Sequence, residues 1–448
     1  MRTERDNLTS GIEPAGGSKQ LRVRLISGLF WNLTGASVVR LAGLATGVLI
    51  GRILGKEDFG RLGMIQSTVG MLGSLAGLAM GAAATRYIGS LRLAEINRAS
   101  LILRLLTTVG WLSGGAIATA LMIFAPYIAT HWLGTDRLIV PLQLSAVLVI
   151  FGVINGIQAG ALAGLEAFRE IARVNLICGL LTLPIVLGLT FYFRVAGVVV
   201  GLALVAVLNF VLYRRVLRKS VLGGAQVGSD RMWAERSILL KFALPLTLST
   251  LMTAPAGWLG NFLLLRSPEG YASVGLFNAA LQWQSIILFV PGAISPAILS
   301  LLSNTYGREH TRSYWKLVYT SLAATVIASL IAAAAVAVAG ENIMALYGRE
   351  FHGGGAPIVL LSIAAVLMAA NTTIGQVITS SGSMWASLGL NALWAFGFVV
   401  SAFVLVPSRG AVGLGLAYCL AYTLLLIWSS IYLFYQHWRP NWRNGLAH

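Results

Sequence analysis

What most constrains this chain is the way its charge is kept apart from its apolar length. Charged residues make up 10 % of the 448 positions and hydrophobic ones 57 %. The charges fall in short links between apolar stretches at roughly 29–50, 62–85, 105–130, 138–165, 174–193, 195–213, 242–265, 272–303, 317–340, 356–379, 386–406 and 411–435. Each stretch is long enough to cross about 30 Å of hydrocarbon. The chain therefore reads as an all-α integral membrane protein of about twelve transmembrane helices.

Basic residues set the orientation. The links 1–28, 86–104, 165–173, 214–241, 304–316, 380–385 and 436–448 hold 23 Lys and Arg, the alternate links hold 8, and Arg40 is the one remaining of 32. The positive-inside rule then places both termini in the cytoplasm. This asymmetry, with attraction to anionic headgroups, accounts for the net charge of +17; no separate soluble module is left to bind nucleic acid. Cys178 and Cys419 both sit in apolar stretches, where neither a disulfide framework nor a metal cluster is expected. Residues 1–28 are polar and of mixed charge, and the following stretch lacks a small-residue cleavage pattern, so no removable signal peptide is expected.

An internal repeat organises the spans. The longest basic link, 214–241, divides six from six. At an offset of 212, Glu57 meets Glu269, Phe59 meets Tyr271 and Gly63 meets Gly275; at 216, Pro141 meets Pro357 and Asn155 meets Asn371. Six spans per half is an even number, so the repeats run parallel and are related by a pseudo-two-fold axis along the membrane normal, with a central cavity between them. The expected organisation is an N-terminal tail (1–28), a six-helix lobe (29–213), a basic linker (214–241) whose segment 229–241 reads as an interfacial helix, a second six-helix lobe (242–435) and a C-terminal tail (436–448). Pro245, Pro255, Pro291 and Pro296 release backbone groups inside the second lobe. Two lobes around a central site suit alternating access, and two complete lobes in one chain make a monomer sufficient.

Polar residues inside the membrane narrow the chemistry. All 15 acidic residues fall in links or at span ends, which argues against antiport of cationic drugs, a process that needs a buried carboxylate. Arg40 is the reverse case: a guanidinium in mid-span costs roughly 2.5–3.5 kcal/mol and is kept only where it meets water, a partner or an anion. It is read here as an anion contact, with snorkelling or carbonyl pairing as the alternative. Arg86 ends the second span and reads either as a phosphate contact at the cavity mouth or as an inner anchor; Arg104 and Arg266 lie near other span ends. Asn32, Gln66, Asn155, Gln158, Asn209, Asn278, Gln282 and Asn371 supply neutral hydrogen-bonding groups that either bind sugar hydroxyls or join helices.

Arg40 followed by Gly51-Arg52-Ile53-Leu54-Gly55-Lys56-Glu57-Asp58-Phe59-Gly60 resembles the first-span signature of the polysaccharide transport flippases of the multidrug/oligosaccharidyl-lipid/polysaccharide exporter superfamily. Arg86-Tyr87-Ile88, Val274-Gly275-Leu276-Phe277-Asn278-Ala279-Ala280 and Leu346-Tyr347-Gly348-Arg349-Glu350-Phe351 extend the likeness along most of the chain. The resemblance implies two six-helix bundles in a V and movement of a lipid-linked oligosaccharide, typically on undecaprenyl diphosphate, from the cytoplasmic to the outer leaflet of the bacterial inner membrane. It further implies that Arg40 and Arg86 hold the diphosphate while amides meet the sugars, with membrane lipids and polysaccharide polymerases or glycosyltransferases as partners and no cofactor. The alternatives are a multidrug or small-solute exporter of the same superfamily, and a membrane enzyme acting on lipid-linked sugars. The second is disfavoured because the outer links are short and Glu57-Asp58 is the one adjacent acidic pair.

Overall fold

The structure, a computed structural model, describes residues 17–77, 79–91, 95–220, 244–295, 298, 311–380 and 384–438. It is helical, with no strand among the described residues. The helices are α1 (Gly17–Gly77), α2 (Met80–Leu91), α3 (Ile96–Tyr127), α4 (Ile139–Gly164), α5 (Phe168–Lys219), α6 (Leu244–Leu265), α7 (Tyr271–Ile287), α8 (Thr311–Val338), α9 (Gly340–Tyr347), α10 (Gly355–Ser380) and α11 (Met384–Trp438). The expected interfacial helix at 229–241 lies outside the described residues.

Three of these helices are too long for one crossing. The 52 residues of α5 would extend about 78 Å if straight, far more than a bilayer core. Each long helix is broken by one residue in a left-handed conformation: Gly55 in α1, Arg194 in α5 and Gly410 in α11. The breaks at 194 and 410 fall where apolar stretches end at 193 and 406 and resume at 195 and 411. Six described helices are long and apolar enough to span a membrane, and two bent pairs add to them: Val39–Gly77 with Met80–Leu91, and Tyr271–Ile287 with Phe289–Ser295.

The repeat is visible in the backbone. α4 and α10 begin at 139 and 355 and end at 164 and 380, while α5 and α11 begin at 168 and 384. Arg194 and Gly410 have nearly the same torsions, φ/ψ of 49°/−126° and 54°/−130°. The Nδ2 of Asn155 donates to the carbonyl of Ala206 at 2.9 Å, and that of Asn371 to the carbonyl of Tyr422 at 3.0 Å. All of these pairs are 216 residues apart.

The first link corrects the register read from side chains. Gly55 (φ 78°) precedes the second limb of α1 and Gly270 (φ 55°) precedes α7, so the structural offset there is 215. The pairs are Gly55 with Gly270 and Gly60 with Gly275, in place of Glu57 with Glu269, Phe59 with Tyr271 and Gly63 with Gly275. Two contacts confirm it by reciprocity: a Cβ on Gly60 would lie 1.8 Å from the Tyr271 carbonyl oxygen, and one on Gly275 would lie 2.0 Å from that of Lys56. A break in the backbone sets the register, and similar side chains three residues away do not.

The lobes meet mainly where α1 packs on α6 and α7. Gly47, Gly51 and Gly55, four residues apart, present a side-chain-free seam filled by Gln282, Tyr347 and Glu350. Such spacing lets a membrane helix approach its neighbour closely.

Candidate functional site

The end of the bundle at Gly55 is closed by polar contacts between the lobes. Lys56 Nζ lies 3.7 Å from Glu269, and the Lys56 backbone N–H donates to Glu350 Oε2 at 3.0 Å. Tyr271 Oη donates to the Leu133 carbonyl at 2.6 Å. The Arg266 guanidinium donates to the carbonyls of His131 and Trp132 at 3.4 and 3.3 Å and lies over the Phe262 ring. Within the first lobe, Arg61 pairs with Glu57 and Asp58, and Arg194 donates to Asp58 at 2.8 and 2.9 Å and to the Leu54 carbonyl at 3.0 Å. Slightly deeper, Trp258 Nε1 donates across the lobes to Thr68 Oγ1 at 3.0 Å.

Below this seal, two cavities open along the α1–α7 seam. One, of about 350 Å³, is lined by Val39, Arg40, Gly43, Leu44, Asn175, Gln282, Ser285 and Ile286. The other, of about 260 Å³, is lined by Phe59, Leu62, Gly63, Gln66, Asn278 and Leu281, together with Gln282 and Ser285. Gln282 and Ser285 thus belong to both. Arg40 stands 15 residues before Gly55, about 22 Å along the helix, and Asn278 stands 7 after Tyr271, about 10 Å. The cavities therefore occupy the middle of a membrane-spanning bundle, and among the described residues no Asp or Glu lines either of them.

Of the residues expected from sequence, Arg40, Gln66, Asn278 and Gln282 come together here. The Arg40 guanidinium is exposed, donates one bond to the Ser285 carbonyl at 3.3 Å and lies 5.9 Å from the Phe289 ring centroid. Arg266 is placed in the seal instead. Arg86 is on α2, over the Tyr87 ring, and lines neither cavity. The Asn32 side chain lies outside the described residues. Asn155 and Asn371 join helices within each lobe, as the packing reading of the amides held. Asn175 reaches the site unheralded, while Tyr347 and the seal residues Lys56, Glu57, Asp58, Glu269, Tyr271 and Glu350 lie in stretches singled out by the family likeness or the repeat without a role assigned to them; the four-residue glycine spacing from Gly43 to Gly55 was the signal in the sequence for a close lobe contact along α1.

The fold built from these two helical lobes is similar to that of solved structures described as MOP superfamily transporters. The chain superposes on an inward-facing multidrug resistance MATE family transporter of that superfamily with a TM-score of 0.72 at 15% identity, over 89% of this chain and 95% of the other. Against an outward-facing MATE transporter the TM-score is 0.64 at 17% identity, over 91% and 94%. Against a MOP superfamily transporter from Pyrococcus furiosus it is 0.65 at 16% identity, over 92% and 95%. The family described as polysaccharide biosynthesis protein matches residues 25–299, and the chain belongs to it. Over 200 residues the chain is 26% identical to the EPS I polysaccharide export inner membrane proteins EpsE of Ralstonia solanacearum and Ralstonia nicotianae. That match takes in 44% of this chain and 46% of each relative, just under half the length of these curated proteins.

Proposed function

We propose that this protein is an alternating-access flippase that carries a polyprenyl-diphosphate-linked oligosaccharide, on a carrier such as undecaprenyl diphosphate, from the cytoplasmic to the outer leaflet for cell-surface polysaccharide synthesis. One observation carries the reading: two adjoining mid-membrane cavities that share Gln282 and Ser285 hold a cation, Arg40, in one and the neutral amides Gln66 and Asn278 in the other, with no carboxylate among their described lining residues. A diphosphate needs the first and sugar hydroxyls need the second, while the lipid tail stays in the bilayer between the lobes. A carboxylate-free cavity also counts against export of cationic drugs.

The distribution of Lys and Arg assigns both termini to the cytoplasm and the sealed end at Gly55 to the outer face, in the inner membrane where the EpsE relatives are placed. The higher TM-score against the inward-facing transporter than against the outward-facing one supports an inward-facing state. An interior-negative potential favours outward movement of negative charge by about 2.3 kcal/mol per charge per 100 mV, which is our hypothesis for the driving force. One chain supplies both lobes of the cavity, so a monomer suffices. A polymerase or glycosyltransferase acting on the same lipid would be its neighbour in the pathway.

The test is leaflet exposure of a fluorescent undecaprenyl-diphosphate oligosaccharide in proteoliposomes containing wild type, Arg40→Ala or Arg40→Lys. Losing a charge-assisted hydrogen bond of about 1.5–3 kcal/mol slows flipping by roughly 10- to 150-fold in Arg40→Ala, with partial recovery in Arg40→Lys. Wild type that moves no such lipid with or without an imposed potential overturns the proposal.

A further inference from the structure

The amides around the first cavity are not free to present either end. Tyr213, 3% exposed, donates its hydroxyl to Asn175 Oδ1 at 2.8 Å. Tyr347, 1% exposed, does the same to Gln282 Oε1 at 3.0 Å. In both contacts the phenol O–H is the donor and the amide oxygen the acceptor. Burial also raises the Tyr347 phenol above its ordinary value, so it keeps its proton. With both oxygens engaged, the nitrogen ends, Asn175 Nδ2 and Gln282 Nε2, are left as the available donors. Neither has a protein acceptor among the described residues, and both residues line the cavity with Arg40, whose guanidinium spends one of its five N–H groups on Ser285.

We infer that Arg40, Asn175 and Gln282 form a donor-only cradle for a phosphate-type oxyanion, in which Tyr213 and Tyr347 are positioning residues that hold the two amides nitrogen-inward. The neighbouring cavity has no cation among its described lining residues and offers acceptors as well as donors. Asn278 Nδ2 gives one of its two N–H groups to the Val274 carbonyl at 2.9 Å, and its Oδ1 stays an acceptor beside Gln66, so this cavity receives hydroxyl groups both as donors and as acceptors. A ligand carrying both groups therefore seats its oxyanion beside Arg40 and its hydroxyls toward the Gly55 end. The identification of the oxyanion with a lipid diphosphate rests on the function proposed above; the donor-only polarity of the cradle does not.

The test uses the full-length protein in nanodiscs and three probes: undecaprenyl diphosphate, undecaprenol and inorganic pyrophosphate. Wild type should prefer the diphosphate lipid to undecaprenol. Tyr213→Phe and Tyr347→Phe each free an amide to turn its oxygen inward, and should lower that preference about 2- to 12-fold, the value of one net hydrogen bond, with undecaprenol binding unchanged. Asn175→Asp should lower it further, because Tyr213 still donates to the carboxylate while a negative charge faces the cradle. A merely structural role would weaken both lipids together. Should Tyr213→Phe fail to fold, Asn175→Asp and the near-isosteric Asn175→Leu carry the same test. Preference for the diphosphate lipid that survives Asn175→Asp and both tyrosine variants overturns the cradle and leaves the flippase reading standing. Pyrophosphate binding that responds to these variants, without any preference for the diphosphate lipid, keeps the cradle and overturns the lipid identity.

Discussion

Arg194 and Gly410 occupy the same turn of the two lobes, with torsions within about five degrees of each other, yet one is the bulkiest of cations and the other has no side chain. The turn is a demand of the fold, since each lobe must reverse the chain between two consecutive membrane-spanning limbs. Glycine meets that demand without strain. A side chain there costs on the order of 1–3 kcal/mol, so Arg194 has to return something. Its guanidinium fastens the turn to Asp58 and to the Leu54 carbonyl beside the Gly55 break. The first lobe thus braces its own α1, which carries Arg40 to the site. In the second lobe, a Cβ on Gly410 would meet only Ser273 Oγ, at 3.6 Å, and the interior is knitted by the rings of Trp394, Phe398, Tyr418 and Tyr422. One backbone plan thus serves a lobe that carries the charge and a lobe that contributes only neutral groups to the cavities among the described residues.

The strongest break of this symmetry is at the seal. Gly60→Ala or Gly275→Ala drives a methyl into a carbonyl of the other lobe. Overpacking of about 1–3 kcal/mol translates to roughly a 5- to 150-fold loss of the closed end. With cysteines placed at Lys56 and Glu269, cross-linking by a short thiol reagent should fall by that amount while each lobe keeps its helical content. Unchanged yield in both variants would mean the seam is not a closure.

A smaller effect separates the two turns directly. Gly410→Ala should lower stability in thermal or denaturant unfolding by about 1–3 kcal/mol, through strain alone. Arg194→Gly removes a strain of that size and loses a half-exposed ion pair worth about 0.2–1 kcal/mol, so it should leave stability level or raised. A large loss in Arg194→Gly would show that the brace outweighs the strain. The mildest contrast is between Asn155→Ala and Asn371→Ala, each deleting an interhelical bond of about 0.6 kcal/mol. Asn371 also accepts from Ser429, whereas Asn155 Oδ1 is buried without a partner among the described residues, so Asn371→Ala should be the more destabilising of the two.

Much of this fold was legible because a bilayer punishes misplaced charge. Hydropathy marks the spans, and the reversals at Arg194 and Gly410 coincide with gaps between apolar stretches. The offset of 216 in α4 and α10 was readable from Pro141, Pro357, Asn155 and Asn371. In the first link it was not, because Glu57 and Glu269 look alike while the matching positive-φ breaks sit at Gly55 and Gly270. Arg40, Gln66, Asn278 and Gln282 stood out as polar groups within apolar spans, the same cost that the cavity relieves. Asn175 and Tyr213 did not stand out, and Tyr347 stood out only as part of a motif, since their roles depend on hydrogen bonds spanning 38 and 65 residues of sequence. Arg266 has the composition of a ligand-binding residue and the surroundings of a staple, a distinction that only the carbonyls of His131 and Trp132 reveal.

Arg40 and Asn175 ride on the first lobe and Gln282 on the second, so whatever occupies their cavity is held by two bodies at once. Such a guest opposes the parting of its hosts by its own free energy of association, and a guest gripped too firmly would stall the cycle. Departure then requires no competitor and no chemical change, only that the hosts separate and the coordination cease to exist. A modest grip, with one mid-membrane cation and a few amides, is what a carrier that must let go on every turnover would be built to have.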